Sequence, residues 1–202
     1  MHANFPSAPL RFKSARRALS TPHAVAALLL LLRFATPPAF AQPPKPSEYE
    51  VKAAYLLNFG KFIRSGSAPR SSFDICVLGS DPIGSSLDAL AANSAVGNSP
   101  VHVNHPPDVT SAKSCAIVFI SSSEGDRLRE DLAILGNADI LTVSDAPEFL
   151  QHGGMIQFVI VSNHVRFAVN LDAVNRAHLV LSSELLRVAS SVSGKPATGE
   201  LP

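Results

Sequence analysis

Apolar residues follow two rhythms along this chain. Phe73-Asp-Ile-Cys-Val-Leu-Gly79 and Cys115-Ala-Ile-Val-Phe-Ile-Ser121 are short, nearly unbroken apolar runs rich in β-branched and aromatic residues. That is the pattern of strands buried on both faces. Each leads through a polar turn, Gly79-Ser-Asp-Pro-Ile-Gly84 or Ser121-Ser-Ser-Glu-Gly125, into a helical segment, Ser85–Ala92 or Asp126–Leu135. Asp139-Ile-Leu-Thr-Val143 reads as a further buried strand, and Pro100-Val-His-Val-Asn104 alternates as a half-exposed edge strand. Ahead of them, Val51, Tyr55, Leu56, Phe59, Phe62 and Ile63 form a stripe at helical spacing that predicts a helix lying on the sheet. Its start is marked by Ser47-Glu-Tyr-Glu50, a capping box.

Punctuation supplies the remaining boundaries. Ser123 with Asp126 predicts the cap of the helix to Leu135, and Gly136 its stop. Asp145-Ala-Pro-Glu148 predicts a short helix with Pro in its first turn. Met155–Val161 and Val165–Val169, separated by Ser162-Asn163-His164, predict an antiparallel hairpin, with Asn163 in the left-handed conformation. Asn170 caps a helix over Leu171–His178, and Ser182 or Ser183 a last one through Ala189. The alternation implies an α/β fold: one domain, a mostly parallel sheet with helices on both faces, and a C-terminal antiparallel hairpin.

Charge and composition change this picture at the N-terminus. Residues 1–41 hold five basic residues, no acidic one, the apolar run Ala24–Leu32 and an Ala39-Phe-Ala41 site, which reads as a cleavable secretory signal peptide. Nine apolar residues are too few for a membrane span of about 20. Residues 42–46 are a Pro-rich arm, residues 47–193 the folded domain and residues 194–202 a flexible tail. Without residues 1–41 the chain keeps 12 basic against 16 acidic residues, net −4. That balance excludes a basic face for nucleic acid. No later run is long enough for stable membrane insertion, so the expected location is the periplasm. Two cysteines in an exported chain, Cys76 and Cys115, one in each strand segment, read as a disulfide.

Candidate chemistry is sparse. Gly79–Gly84 lacks the glycines of a dinucleotide fingerprint and carries Asp81 where a phosphate would sit. His102 and His105 supply at most two local metal ligands. Ser, His and Asp are abundant but none stands in a nucleophile-elbow context. The chain is read as a non-enzyme with no cofactor and no metal.

Six ordered motifs, Glu50-Val-Lys-Ala-Ala-Tyr-Leu-Leu-Asn-Phe-Gly-Lys-Phe62, Ile75-Cys-Val-Leu-Gly-Ser-Asp-Pro82, Leu141-Thr-Val-Ser-Asp145, Gly153-Gly-Met-Ile156, Phe167-Ala-Val-Asn170 and Ser182-Ser-Glu-Leu-Leu186, together resemble the YfiR/HmsC-like periplasmic family. The resemblance spans about Glu48 to Val192. It implies a small exported regulator that binds the periplasmic domain of an inner-membrane signalling protein, in the namesake a diguanylate cyclase, and so bears on cyclic di-GMP and biofilm. Members commonly carry Trp-Pro after the first helix; here Ile63 runs into Arg64-Ser-Gly. The expected contact residues are Lys52, Asn58 and Lys61 on the exposed edge of the first helix, and Asn163, His164 and Arg166 at the hairpin tip. A homodimer is compatible with this reading. The alternative class is a small-ligand-binding subunit feeding a sensor kinase or transporter.

Overall fold

The computed structural model describes residues 45–66 and 70–196. Residues 1–41, where the sequence leads us to expect a signal peptide, and residues 197–202 lie outside them. Helix α1 (Glu48–Phe62) starts at the expected box: the Ser47 hydroxyl accepts from the Glu50 N–H, and the Glu50 carboxylate accepts from the Ser47 N–H. The chain then forms β1 (Ile63–Ser65), β2 (Phe73–Leu78), α2 (Gly84–Ala91), β3 (Ala95–Val96), β4 (Ser99–Asn104), β5 (Ile117–Ile120), α3 (Leu128–Leu135) and β6 (Leu141–Ser144). It closes with β7 (Ile156–Val161), β8 (His164–Asn170), α4 (Leu171–Arg176), β9 (Leu179–Leu181), α5 (Ser183–Val188) and β10 (Ser191–Ser193).

Eight strands form one sheet in the order β10-β8-β7-β6-β5-β2-β4-β3, and β1 pairs with β9 in a separate two-stranded ribbon. From β4 to β7 every neighbour is parallel; β7 and β8 are antiparallel. The chain steps from β2 out to β4, then returns past β2 to β5 and onward. The direction of winding therefore reverses between β2 and β5, whose carboxyl ends flank a topological switch point.

Two-sided burial explains why these strands are continuously apolar. Ile75 and Val77 of β2, with Ile117 and Phe119 of β5, pack in a large core with α1, α2, α4 and α5. Cys76, Leu78, Val118 and Ile120 point the other way, into a smaller core with α3 and Phe149. Cys76 and Cys115 are bonded across this second core with a Cα separation of 6.0 Å. Cys115 sits just ahead of β5, after a 3-10 turn at Ser111–Ser114, rather than within the strand.

Several boundaries differ from the sequence expectation. Ser123 does not cap α3, because its hydroxyl accepts the N–H of Ser80. Ser121 instead caps a 3-10 turn at Ser122–Glu124, and the helix proper starts at Leu128. Residues 145–148 form a turn, not a helix. The Asp145 carboxylate already accepts from Ser122 N–H and Lys52, Ser144 takes the Ala146 N–H, and Glu148 adopts φ 57°. The hairpin loop has two residues, not three: Ser162 and Asn163 both have positive φ, and His164 pairs with Val161. That is the left-handed two-residue turn whose twist matches its strands. After β10, which runs parallel to β8, the expected tail is tied down at its start: Lys195 N–H donates to Asp172, and Asn175 donates to the Lys195 carbonyl.

Candidate partner-docking site

The first turns of α1 and the tip of the β7–β8 hairpin meet to form a groove. Val51 and Tyr55, one helical turn apart, line one wall; Val161, Ser162, His164, Val165 and Arg166 line the other, around about 470 Å3. Tyr55 is held from beneath by rings: Phe167 edge-on at 5.4 Å, Phe59 stacked at 5.9 Å and Phe158 at 6.1 Å. Phe59 and Phe167 are themselves fully buried, so the Tyr55 wall is rigid.

The hairpin overruns the helix that covers it. Along β7, Ile156 and Phe158 are buried, but Ile160 and Val161 stand 53% and 46% exposed. Ile160 pairs with Val165, an apolar cross-strand pair close to the tip where a solvated hairpin end would be polar, and Val161 pairs with His164. Arg166 is exposed and makes no ion pair among the described residues. The groove thus offers aliphatic and aromatic walls with one uncommitted guanidinium at its rim.

Of the six expected contact residues, the structure brings only His164 and Arg166 to this groove. Asn163 sits at the exposed turn with φ 61°, its role conformational. Asn58 and Lys61 are exposed, one helical turn apart, towards the far end of α1; Asn58 donates to the Ala54 carbonyl. Lys52 is a correction. It is 4% exposed, with its ammonium 2.7 Å from Glu48 and 2.8 Å from Asp145. Burial alone works against the charged lysine, but the bonds from Asp145 and Glu48 outweigh it and hold its pKa above the ordinary value. Lys52 pins α1 to the end of β6 and is not presented to a partner. Conversely, Val51, Tyr55, Val161 and Val165 were not foreseen as site residues. The available signal was the apolar pair Ile160-Val161 placed next to a turn.

The other candidate chemistries are dispersed. His105 pairs with Asp81 at 2.5 Å, while the other oxygen of Asp81 accepts from Ile83 N–H. His102 faces a different carboxylate, Asp74, at 3.6 Å. No cluster of three metal-ligating side chains occurs among the described residues. In the Gly79–Gly84 turn the Asp81 carboxylate takes the place where a phosphate would be cradled. No helix of the described residues is long and apolar enough to cross a membrane.

A conserved domain protein from Vibrio cholerae O1 biovar El Tor has a similar fold in its crystal structure, with a TM-score of 0.52 at 11% identity over 73% of this chain. The match covers 60% of that protein, and at this identity the likeness concerns the fold alone. No curated protein matches the sequence. The family model described as YfiR/HmsC-like matches residues 49–190, from the first turn of α1 to the residue before β10. The chain belongs to the YfiR/HmsC-like family.

Proposed function

We propose that this protein is an exported regulatory binding module that docks on the periplasmic domain of an inner-membrane signalling protein, a diguanylate cyclase, and holds that partner inactive. The observation that carries the reading is the groove between α1 and the hairpin tip. It combines a rigid aromatic, exposed aliphatics and an unpaired arginine, the residue types that dominate binding hot spots. A complementary segment would place an apolar anchor between Tyr55, Val51 and Val161 and a carboxylate against Arg166. Lys52 contributes indirectly, by fixing the helix that carries Tyr55.

Docking controls the partner only through differential affinity for its two states. Driving a partner from mostly active to mostly inactive, 1:99 to 99:1, takes roughly 10⁴-fold tighter binding to the inactive form. The test is deletion of the gene. Cyclic di-GMP and biofilm are expected to rise and to fall again when the wild-type gene is restored; an unchanged cyclic di-GMP level removes the reading. The second reading, capture of a small ligand for a sensor kinase or transporter, has one observation in its favour, a pocket beside the carboxyl ends of β2 and β5.

A further inference from the structure

That pocket encloses about 310 Å3 and is walled by Leu78 and Gly79 at the end of β2, Pro106 to Val109 after β4, and Glu124, Arg127, Glu130 and Asp131 at the start of α3. It opens at the switch point between β2 and β5, where open α/β sheets bind their ligands. Its size falls at the lower end of small-molecule sites.

Asp131 is the anomaly in it. Leu128, Leu132 and Leu135 form the stripe that packs α3 on the sheet, and Asp131, three residues after Leu128 and four before Leu135, lies within that stripe. It is 6% exposed, yet its carboxylate takes no hydrogen bond and no ion pair among the described residues. Burial pushes its pKa up, partly countered by Arg127. Arg127 itself is committed to Glu124, at 2.5 Å. Among the described residues no sealed-off side-chain oxygen or nitrogen lacks a partner, so the unbonded Asp131 oxygens are open to the pocket rather than to the packed core. The walls around it carry four carboxylates, Asp108, Glu124, Glu130 and Asp131, against the single guanidinium of Arg127. Asp108 already accepts the Ser111 N–H. An anion is disfavoured here, and the carboxylates do not gather into a metal site. The remaining wall is aliphatic: Pro106, Pro107, Val109 and Leu78.

We propose that this pocket binds a small aliphatic ammonium ion, its charge on the Asp131 carboxylate and its methylene chain against Pro106, Pro107 and Val109. The site is separate from the docking groove, and its occupancy does not depend on the docking reading. Putrescine titrated calorimetrically into the purified protein is expected to bind saturably at one site and to raise the melting temperature. Butane-1,4-diol, the same length without charge, is expected not to bind. Asp131→Asn removes a buried charge without removing volume, so the variant is expected to fold at least as stably and to lose putrescine affinity roughly 30-fold or more. Val109→Phe, which fills the aliphatic wall and leaves Asp131 in place, is expected to abolish binding as well. The assignment is overturned if putrescine does not bind at millimolar concentration, if Asp131→Asn binds it as tightly as wild type, or if magnesium or calcium ions produce the same Asp131-dependent stabilisation. None of these results alters the expected effect of groove substitutions on partner binding.

Discussion

Breaking the Cys76–Cys115 bond tests how the two halves of the winding are held together. The bond joins β2 to the residue that leads into β5, across the switch point, and closes a loop of 39 residues. In the chain-entropy account, closing a loop of this length removes unfolded-state entropy worth about 4 kcal/mol at 25 °C. For a domain of this size each kcal/mol moves the melting temperature by about 2–4 °C, so the reduced protein is expected to melt about 8–16 °C lower. Cys76 and Cys115 are 2% and 1% exposed. Reductant must therefore wait for the smaller core to open, and reduction under native conditions is expected to follow local unfolding. The assay is differential scanning calorimetry of oxidised protein, of protein reduced in denaturant and refolded, and of the Cys76→Ala/Cys115→Ala variant. Thiol titration accompanies each sample. Two reactive thiols in the native air-oxidised protein, or a melting temperature within 2 °C after full reduction, would refute the reasoning.

Other outcomes follow from the packing. Phe59→Ala removes a fully buried ring that contacts Tyr55, Phe158 and Phe167. It is expected to cost about 3–5 kcal/mol in urea unfolding; a loss under 1 kcal/mol would mean that the aromatic floor of the groove is not packed as described. Lys52→Met is expected to cost about 1–3 kcal/mol, less than a wholly buried pair because Glu48 is half solvated. The folded pKa of Lys52 is raised above its ordinary 10.5, so its contribution is complete below about pH 10.5 and is lost as pH rises through the folded value. The stability gap between wild type and Lys52→Met, measured by urea unfolding, is therefore expected to be flat at neutral pH and to narrow in stronger alkali; a gap that widens there contradicts the pairing. Asn163→Gly, at φ 61° in the two-residue turn, is expected to be neutral or stabilising by up to about 1 kcal/mol in thermal unfolding. A clear destabilisation would mean a different turn.

Much of the architecture was legible because each buried strand is buried on both faces. Ile75–Leu78 and Ile117–Ile120 are continuous apolar runs for that reason, and the capping box at Ser47 and the cap at Asn170 act within one turn of chain. What escaped depends on contacts that span the sequence. Strands β1, β9 and β10 are three residues each, too short to show a period, and exist because a distant strand supplies their hydrogen bonds. Ser123 looks like a helix cap, but Ser80 competes for its hydroxyl. Lys52 looks like a solvated helix edge, but its partner Asp145 is 93 residues away. The docking groove has the same character: its walls come from α1 and from a hairpin more than 100 residues later, so no local pattern announces it. Asp131 was hidden differently, as one carboxylate in an apolar stripe that reads as an ordinary amphipathic helix.

The most direct test of docking through the groove is the affinity of this protein for the purified periplasmic domain of the proposed partner, a membrane-bound diguanylate cyclase. Wild type is to be compared with Val161→Asp/Arg166→Glu and with Lys61→Glu as a change elsewhere on α1. Val161, Arg166 and Lys61 are all exposed, so the fold is expected to survive each change. The double variant is expected to bind roughly 30-fold more weakly or worse, the effect of losing an anchor and reversing a charge at a hot spot, while Lys61→Glu stays within about threefold of wild type. Equal binding by the double variant and wild type would contradict docking through this groove.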